Sequence, residues 1–143
     1  MGLSYQEEFE EIFRSKVTRE GSAAFLEWLS KTDFFTAPAS TKFHCACPSG
    51  LVQHSISVYR TMVERYFDPE TDSEESFAIC GLLHDVCKAQ FYKEGTRNVK
   101  NEQSGAWEKK PYYMIDFLPQ RVSETAKGHF FDTTYLTVKN VMK

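Results

Sequence analysis

The feature that most constrains this chain is a histidine and an aspartate side by side in an apolar run, "AICGLLHDVCKAQFY", where they are His84 and Asp85. Charged side chains are rarely buried unless an interaction compensates them. Two interpretations follow from this pair. In the first, Asp85 faces water and His84 is a half-buried structural histidine. In the second, the two side chains converge on a metal ion.

The length and composition indicate one globular domain over residues 1–143. A chain of this size buries roughly two-thirds of its unfolded surface, so it needs no disulfide to fold. The net charge of −3 excludes a generally basic nucleic-acid-binding coat. No apolar run reaches the ~18 residues of a membrane span, and the acidic start "MGLSYQEEFEE" is unlike a signal peptide. We therefore expect a cytoplasmic protein without a membrane partner.

The four cysteines fit a reducing compartment. Cys80 and Cys87 have the spacing of one helix face, which is typical of small buried hydrophobic residues. Cys45 and Cys47 follow His44 in "FHCACPSG". That pattern lacks the usual spacer between zinc-binding cysteines, and no second ligand pair lies at a recognisable spacing. The sequence therefore argues against a structural zinc site.

Apolar residues at helical spacing predict at least four helices. The first follows a capping box formed by Ser4 and Glu7, and the second lies in "AAFLEWLSK". Two longer helices are predicted over residues 51–67 and 73–88, and the second of these contains His84 and Asp85. These patterns predict a mainly α-helical fold around one core.

One segment departs from the helical pattern. The turn signal "QSG" at residues 103–105 separates two mixed polar and apolar runs and predicts a β-hairpin over residues 97–113. Its basic residues are largely balanced by acidic ones, which is typical of a solvated hairpin that covers apolar surface. Alternatively the hairpin borders a binding site, where Arg97 meets a phosphate and Trp107 stacks on a base.

A second histidine supports the metal interpretation of the first pair. His54 lies in "GLVQHSISVY", thirty residues before His84 and in the middle of the preceding predicted helix. An antiparallel pair of helices brings two such imidazoles to the same height, and Asp85 adds a carboxylate. Imidazole with carboxylate suits zinc, manganese or iron. We therefore expect His54, His84 and Asp85 to be able to hold one divalent ion.

These motifs resemble the HD-domain phosphohydrolase superfamily. The pair that names the family appears as "GLLHDVCK", and its upstream Gly-Leu-x-x-His-Ser segment appears as "SGLVQHS". The loop "ASTKFHCACPSG" and the hairpin "TRNVKNEQSGAWEKKPYY" look most like the small HD proteins of bacteria and phages. The resemblance covers roughly residues 39–116.

The resemblance implies an HD-domain-like helical bundle with one β-hairpin insertion. It also implies that His54, His84 and Asp85 bind a divalent metal ion (Mn, Fe, Zn or Mg), with Asp85 placed to bridge two ions. Lys88 stands where relatives have a lysine for the substrate phosphate or for orienting the aspartate; the alternative is a solvated charge at a helix end. His44 resembles a loop histidine that faces the site in relatives, and the alternative is an ordinary loop residue.

The function implied is metal-dependent hydrolysis of a phosphate ester in a nucleotide or a nucleic acid, with Asp85 and Lys88 as the catalytic residues. The second hypothesis is a non-catalytic HD-like module that binds a metal, a nucleotide or a protein partner. It is favoured by the last part of the chain, because the family completes its site with a final aspartate from a later helix.

The sequence of residues 117–143 has no apolar pattern that predicts such a helix. The segment reads "FLPQRVSETAKGHFFDTTYLTVKNVMK", as a shifted reading frame or a truncated gene would produce. Asp132 is the one residue there that we consider as a substitute ligand, and the β-like run "TTYLTV" predicts poor packing and weak or absent activity.

Overall fold

The computed structural model of the protein describes residues 2–115. Within this range four α-helices, α1 to α4, are followed by a single 3₁₀ turn and two antiparallel strands, β1 and β2. Their bounds are Tyr5–Lys16, Ser22–Ser30, Gly50–Tyr66, Glu74–Leu83, Val86–Lys88, Tyr92–Lys100 and Trp107–Ile115.

The prediction of a mainly α-helical bundle is wrong. The described residues are 45% helical and 15% strand, a mixed α and β arrangement with four α-helices and a two-stranded antiparallel sheet. The reason is the length of the ribbon formed by β1 and β2. Pairing continues from Lys100↔Trp107 back to Tyr92↔Ile115, well beyond the residues for which the turn signal predicted a hairpin. Each strand therefore has nine residues.

The helical body, meaning α1 to α4 and their connections, is built on an aromatic core. Phe9 of α1 packs edge to face against Phe34 and Phe35, with ring centroids 5.2 and 5.4 Å apart. Phe13 stacks on Phe25 of α2 at 6.1 Å. The predicted capping box is confirmed, because the Ser4 hydroxyl accepts from the Glu7 amide while the Glu7 carboxylate accepts from the Ser4 amide.

Helices α3 and α4 meet at a point where only a glycine fits. A Cβ on Gly81 would lie 2.7 Å from the Cα of Tyr59 and 2.9 Å from its Cβ. The absence of a side chain therefore lets the two backbones approach closely, as occurs where small residues lie at a helix crossing. This contact sets the distance between the two elements that carry the candidate site.

The ribbon holds itself together through local contacts. The ring of Tyr112 lies across Gly95 on the opposite strand, and the Arg97 guanidinium is 5.8 Å from the centroid of that ring. In the turn, the Asn101 side-chain oxygen accepts from two backbone amides, and Gly105 adopts a positive φ of 73°. No helix within residues 2–115 is long and apolar enough to cross a membrane.

Candidate metal centre

The candidate site lies where the second turn of α3 faces the end of α4. His54 points from α3, and His84 is the residue immediately after the last helical turn of α4. Asp85 follows in the short connection before the 3₁₀ turn. The prediction that His84 and Asp85 lie within a helix over residues 73–88 is wrong, because α4 ends at Leu83.

The structure brings these three side chains together. The Nε2 atoms of His54 and His84 are 3.1 Å apart. The Oδ2 atom of Asp85 lies 3.5 Å from the first and 3.4 Å from the second. All three side chains are mostly buried, with 21%, 29% and 16% of their surface exposed. We refer to them as the cluster.

The spacing within the cluster fits a small divalent cation. An ion that forms bonds of about 2.1 Å to nitrogen and oxygen separates its ligand atoms by about 3.0 Å in octahedral and about 3.4 Å in tetrahedral geometry. The observed distances of 3.1 and 3.4 Å fall in that range, and the 3.5 Å between His54 and Asp85 lies just above it. Two imidazoles and one carboxylate are a donor set that suits zinc, manganese and iron.

One hydrogen bond at the end of α4 fixes the tautomer of His84. The Nδ1–H of His84 donates to the carbonyl oxygen of Gly81 at 2.8 Å. In the neutral ring, the lone pair is then on Nε2, which points toward the rest of the cluster. Metal-binding histidines commonly make such a bond with their other ring nitrogen, because it fixes the ring orientation.

The electrostatics of the cluster favour an ionised Asp85. Burial raises the pKa of its carboxyl, but the hydrogen bond and charge of His84, together with Lys88, outweigh burial and lower the pKa to about 2. Burial and the nearby His84 lower the pKa of His54, against the opposing effect of Asp85. Burial also lowers the pKa of His84, but the bonds with Asp85 and Gly81 raise it overall.

Lys88 is part of the site and not a solvated charge. Only 16% of its side chain is exposed, and its ammonium lies 3.1 Å from the Asp85 Oδ2. The same ammonium donates to the carbonyl oxygen of Ala39 at 3.0 Å. Lys88 therefore connects the cluster to the loop that precedes α3, and it limits the positions that the Asp85 carboxylate can adopt.

That loop also brings His44 to the cluster. The rings of His44 and His54 are 4.6 Å apart between centroids. Ser40 shapes this part of the loop, because its hydroxyl accepts from the Phe43 amide and donates to the His44 carbonyl oxygen. The imidazole of His44 therefore lies next to His54, outside the three side chains that could hold one ion.

The structure does not bring Arg97 and Trp107 to the cluster. The hydroxyl of Tyr92, at the start of β1, reaches the Ala39 carbonyl at 3.4 Å, so the base of the ribbon adjoins the site. Trp107 pairs with Lys100 at the other end of β1. At about 3.3 Å per residue this is ~26 Å from Tyr92, and Arg97 is ~16 Å away. Asp132 lies outside the described residues.

Sequence reasoning missed Tyr92 as a member of the site. Burial, together with the charge of Asp85, raises the pKa of its hydroxyl to about 12, so the group remains a neutral hydrogen-bond donor. Tyr92 and Lys88 donate to the same carbonyl of Ala39. No sequence pattern signals this role, because it depends on where a backbone carbonyl of a distant loop lies.

In comparisons with known proteins, no family model, no curated protein and no solved structure matches this chain. The resemblance to HD-domain proteins therefore rests on the motifs alone.

Proposed function

We propose that the protein is a metal-dependent phosphohydrolase of the HD type that acts on a phosphate ester of a nucleotide or nucleic acid in the cytoplasm. The observation that carries the proposal is the convergence of His54, His84 and Asp85 from two elements, with ligand atoms no more than 3.5 Å apart. When bound, a divalent ion in such a site lowers the pKa of water and neutralises phosphate charge.

The chain's own residues would prepare this site in three ways. The Gly81 carbonyl orients the His84 ring, and Lys88 orients the Asp85 carboxylate. The depressed pKa of Asp85 keeps it anionic at neutral pH, and the lowered pKa of His54 keeps that ring unprotonated and able to bind a cation. His44 lies next to His54, where its imidazole would meet a substrate phosphate.

The test compares metal content with hydrolysis in matched variants. We expect dialysed protein to retain about one Mn²⁺, Fe²⁺ or Zn²⁺ per chain and to hydrolyse bis(p-nitrophenyl) phosphate. Substitutions His84→Ala and Asp85→Ala should reduce metal affinity by at least 10–100-fold, the loss commonly seen for lesser changes around a metal. Cys80→Ser is the control, because Cys80 is exposed on the helix that leads to the cluster.

The outcomes separate the two hypotheses. Metal binding without hydrolysis would favour the non-catalytic module, which three ligands within the described residues also allow. No metal in the parent protein, or equal metal in parent and both variants, would refute the proposal. Lys88→Met distinguishes two roles of Lys88. If Lys88 orients Asp85, the variant should bind metal more weakly. If Lys88 contacts only the substrate phosphate, the variant should lose hydrolysis and retain metal affinity.

A further inference from the structure

The ribbon is an exposed surface that continues from the base of the site. Its side chains from Thr96 to Asn98 and from Trp107 to Pro111 are exposed, so they do not pack against the helical body. At its base, the Tyr92 hydroxyl is bonded to the loop beside the cluster. A surface that begins at a candidate hydrolytic site and extends ~26 Å outward can guide a long ligand.

The strand register sorts the ribbon's residues onto two faces. Directly paired residues share a face, and faces alternate along each strand. The face that contains Tyr92 continues outward through the pairs Asn98↔Lys109 and Lys100↔Trp107. We call it the Tyr92 face. The opposite face carries Lys93, Arg97 and Lys110.

The ribbon differs in charge from the rest of the protein. Across Tyr92–Lys100, the turn and Trp107–Ile115, basic residues outnumber acidic ones, although the whole chain has a net charge of −3. The basic residues are Lys93, Arg97, Lys100, Lys109 and Lys110, and the acidic residues are Glu94, Glu102 and Glu108. The outer part of the Tyr92 face carries Lys100 and Lys109 and no carboxylate, whereas Glu94 lies on the inner part of the same face. Its charge is therefore complementary to a polyanion.

Trp107 adds a stacking surface to that charge. Its side chain is 70% exposed at the far end of the ribbon and is paired with Lys100. Surfaces that bind single-stranded nucleic acid combine cationic side chains for the backbone with aromatic rings on which bases stack, and they cover roughly 4–16 nucleotides. Trp107 is too far from the cluster to touch the same nucleotide, so a mononucleotide cannot use both.

We propose that the Tyr92 face binds single-stranded nucleic acid, with a base on Trp107 and phosphates on Lys100 and Lys109, and that the strand continues along the ribbon toward the cluster. This names the substrate class as a polynucleotide several nucleotides long. The direction of the strand rests on the proposed function, whereas binding to the ribbon does not.

The experiment measures binding with the metal removed. Fluorescein-labelled dT₁₀ is titrated with protein in EDTA at low salt, and affinity is read from anisotropy. Trp107→Ala should weaken binding at least about fivefold, because base stacking on one aromatic ring contributes that much. Trp107→Phe retains a ring and should retain most of the affinity. Tyr66→Ala is the matched control, since Tyr66 is 72% exposed at the far end of α3.

Two further measurements test the chemistry of the partner. Replacing Lys100 and Lys109 by alanine should reduce the salt dependence of log K by about 1.4, at about 0.7 per phosphate contact on a single strand. Intrinsic fluorescence should be quenched by unlabelled dT₁₀ but not by dTMP, and the quenching should disappear in Trp107→Phe, because Trp28 packs against Phe25 in the helical body.

The failures of the two proposals are distinguishable. Because binding of dT₁₀ is measured in EDTA, no variant holds a metal, and weaker binding by Trp107→Ala is independent of the proposed metal site. The inference is overturned if Trp107→Ala and Tyr66→Ala bind dT₁₀ equally, if a T₁₀·A₁₀ duplex binds as tightly as the single strand, or if the parent binds no dT₁₀ at all.

Discussion

In the helical body Phe9, Phe13 and Phe34 are no more than 1% exposed, whereas in the ribbon Trp107 is 70% exposed. The body derives its stability from buried aromatic rings that touch one another across three segments. The ribbon has backbone pairing and a few local contacts, and a lone two-stranded sheet is only marginally stable. The cluster lies in the packed helical body, and the candidate nucleic-acid surface lies on the exposed ribbon.

The comparison of body and ribbon predicts that the largest loss of stability comes from a substitution in the aromatic core of the body. Phe9→Ala removes a ring that contacts Phe13, Phe34 and Phe35, and the resulting cavity should lower the free energy of unfolding by about 3–5 kcal/mol. Urea unfolding monitored by far-UV circular dichroism measures this change. A loss below about 1 kcal/mol would mean that the aromatic core does not hold the body together.

A smaller loss of stability is expected from a substitution where α3 crosses α4. Gly81→Ala places a methyl group 2.7 Å from the Tyr59 Cα, so the helices must separate, at a cost of about 1–3 kcal/mol even though alanine favours a helix. Metal affinity should fall as well, because the separation moves His54 away from His84. Gly95→Ala in the ribbon is the matched change, and it should leave metal affinity unaltered. Equal metal affinity in Gly81→Ala and the parent would contradict this link.

The next largest effect is a dependence of stability on pH, which arises from Asp85 in the cluster. The pKa of Asp85 is about 2 in the folded protein and ordinarily 3.8, so its contribution is present above pH 4 and lost as pH falls toward 2. This shift corresponds to about 2 kcal/mol. Between pH 5 and pH 2, metal-free parent protein should therefore lose about 2 kcal/mol more stability than Asp85→Asn. Parallel pH curves for the two proteins would show that Asp85 is not held as an anion.

The smallest effect should come from the ribbon. Trp107→Ala removes an exposed side chain, and the free energy of unfolding should change by less than about 0.5 kcal/mol. Thermal unfolding followed by circular dichroism would measure this change, with Phe9→Ala measured in the same way for comparison. A loss of more than 2 kcal/mol would indicate that Trp107 packs against another part of the protein, and the distinction between body and ribbon would not hold.

The sequence predicts those features of the fold that depend on neighbouring residues and misses those that depend on distant ones. Local signals were sufficient for the capping box at Ser4, for α3 and for the turn before Gly105, because each depends on neighbouring residues. The end of α4 could not be predicted in this way. At this end a ring nitrogen of His84 bonds to the Gly81 carbonyl, and apolar periodicity contains no information about that bond.

Predicting the fold class and the residues that surround the cluster would have needed long-range information. The strands extend to Tyr92 because pairing with residues more than twenty positions later is favourable, which a turn signal does not reveal. The sequence identified His54, His84 and Asp85 as potential partners from their residue types and spacing. It gave no indication that Lys88 and Tyr92 share the carbonyl of Ala39.

The contact at Gly81 has a consequence for which ions the cluster would accept. Backbone and Cβ atoms of Tyr59 already occupy the space next to Gly81. Helices α3 and α4 therefore cannot move closer to shorten the ligand distances around a smaller cation. A larger cation such as Ca²⁺, with bonds of about 2.3–2.6 Å, would have to force the same helices apart and expose buried surface between them. The helix crossing therefore opposes both compression and expansion of the cluster, so a metal bound there would be selected by its ionic radius.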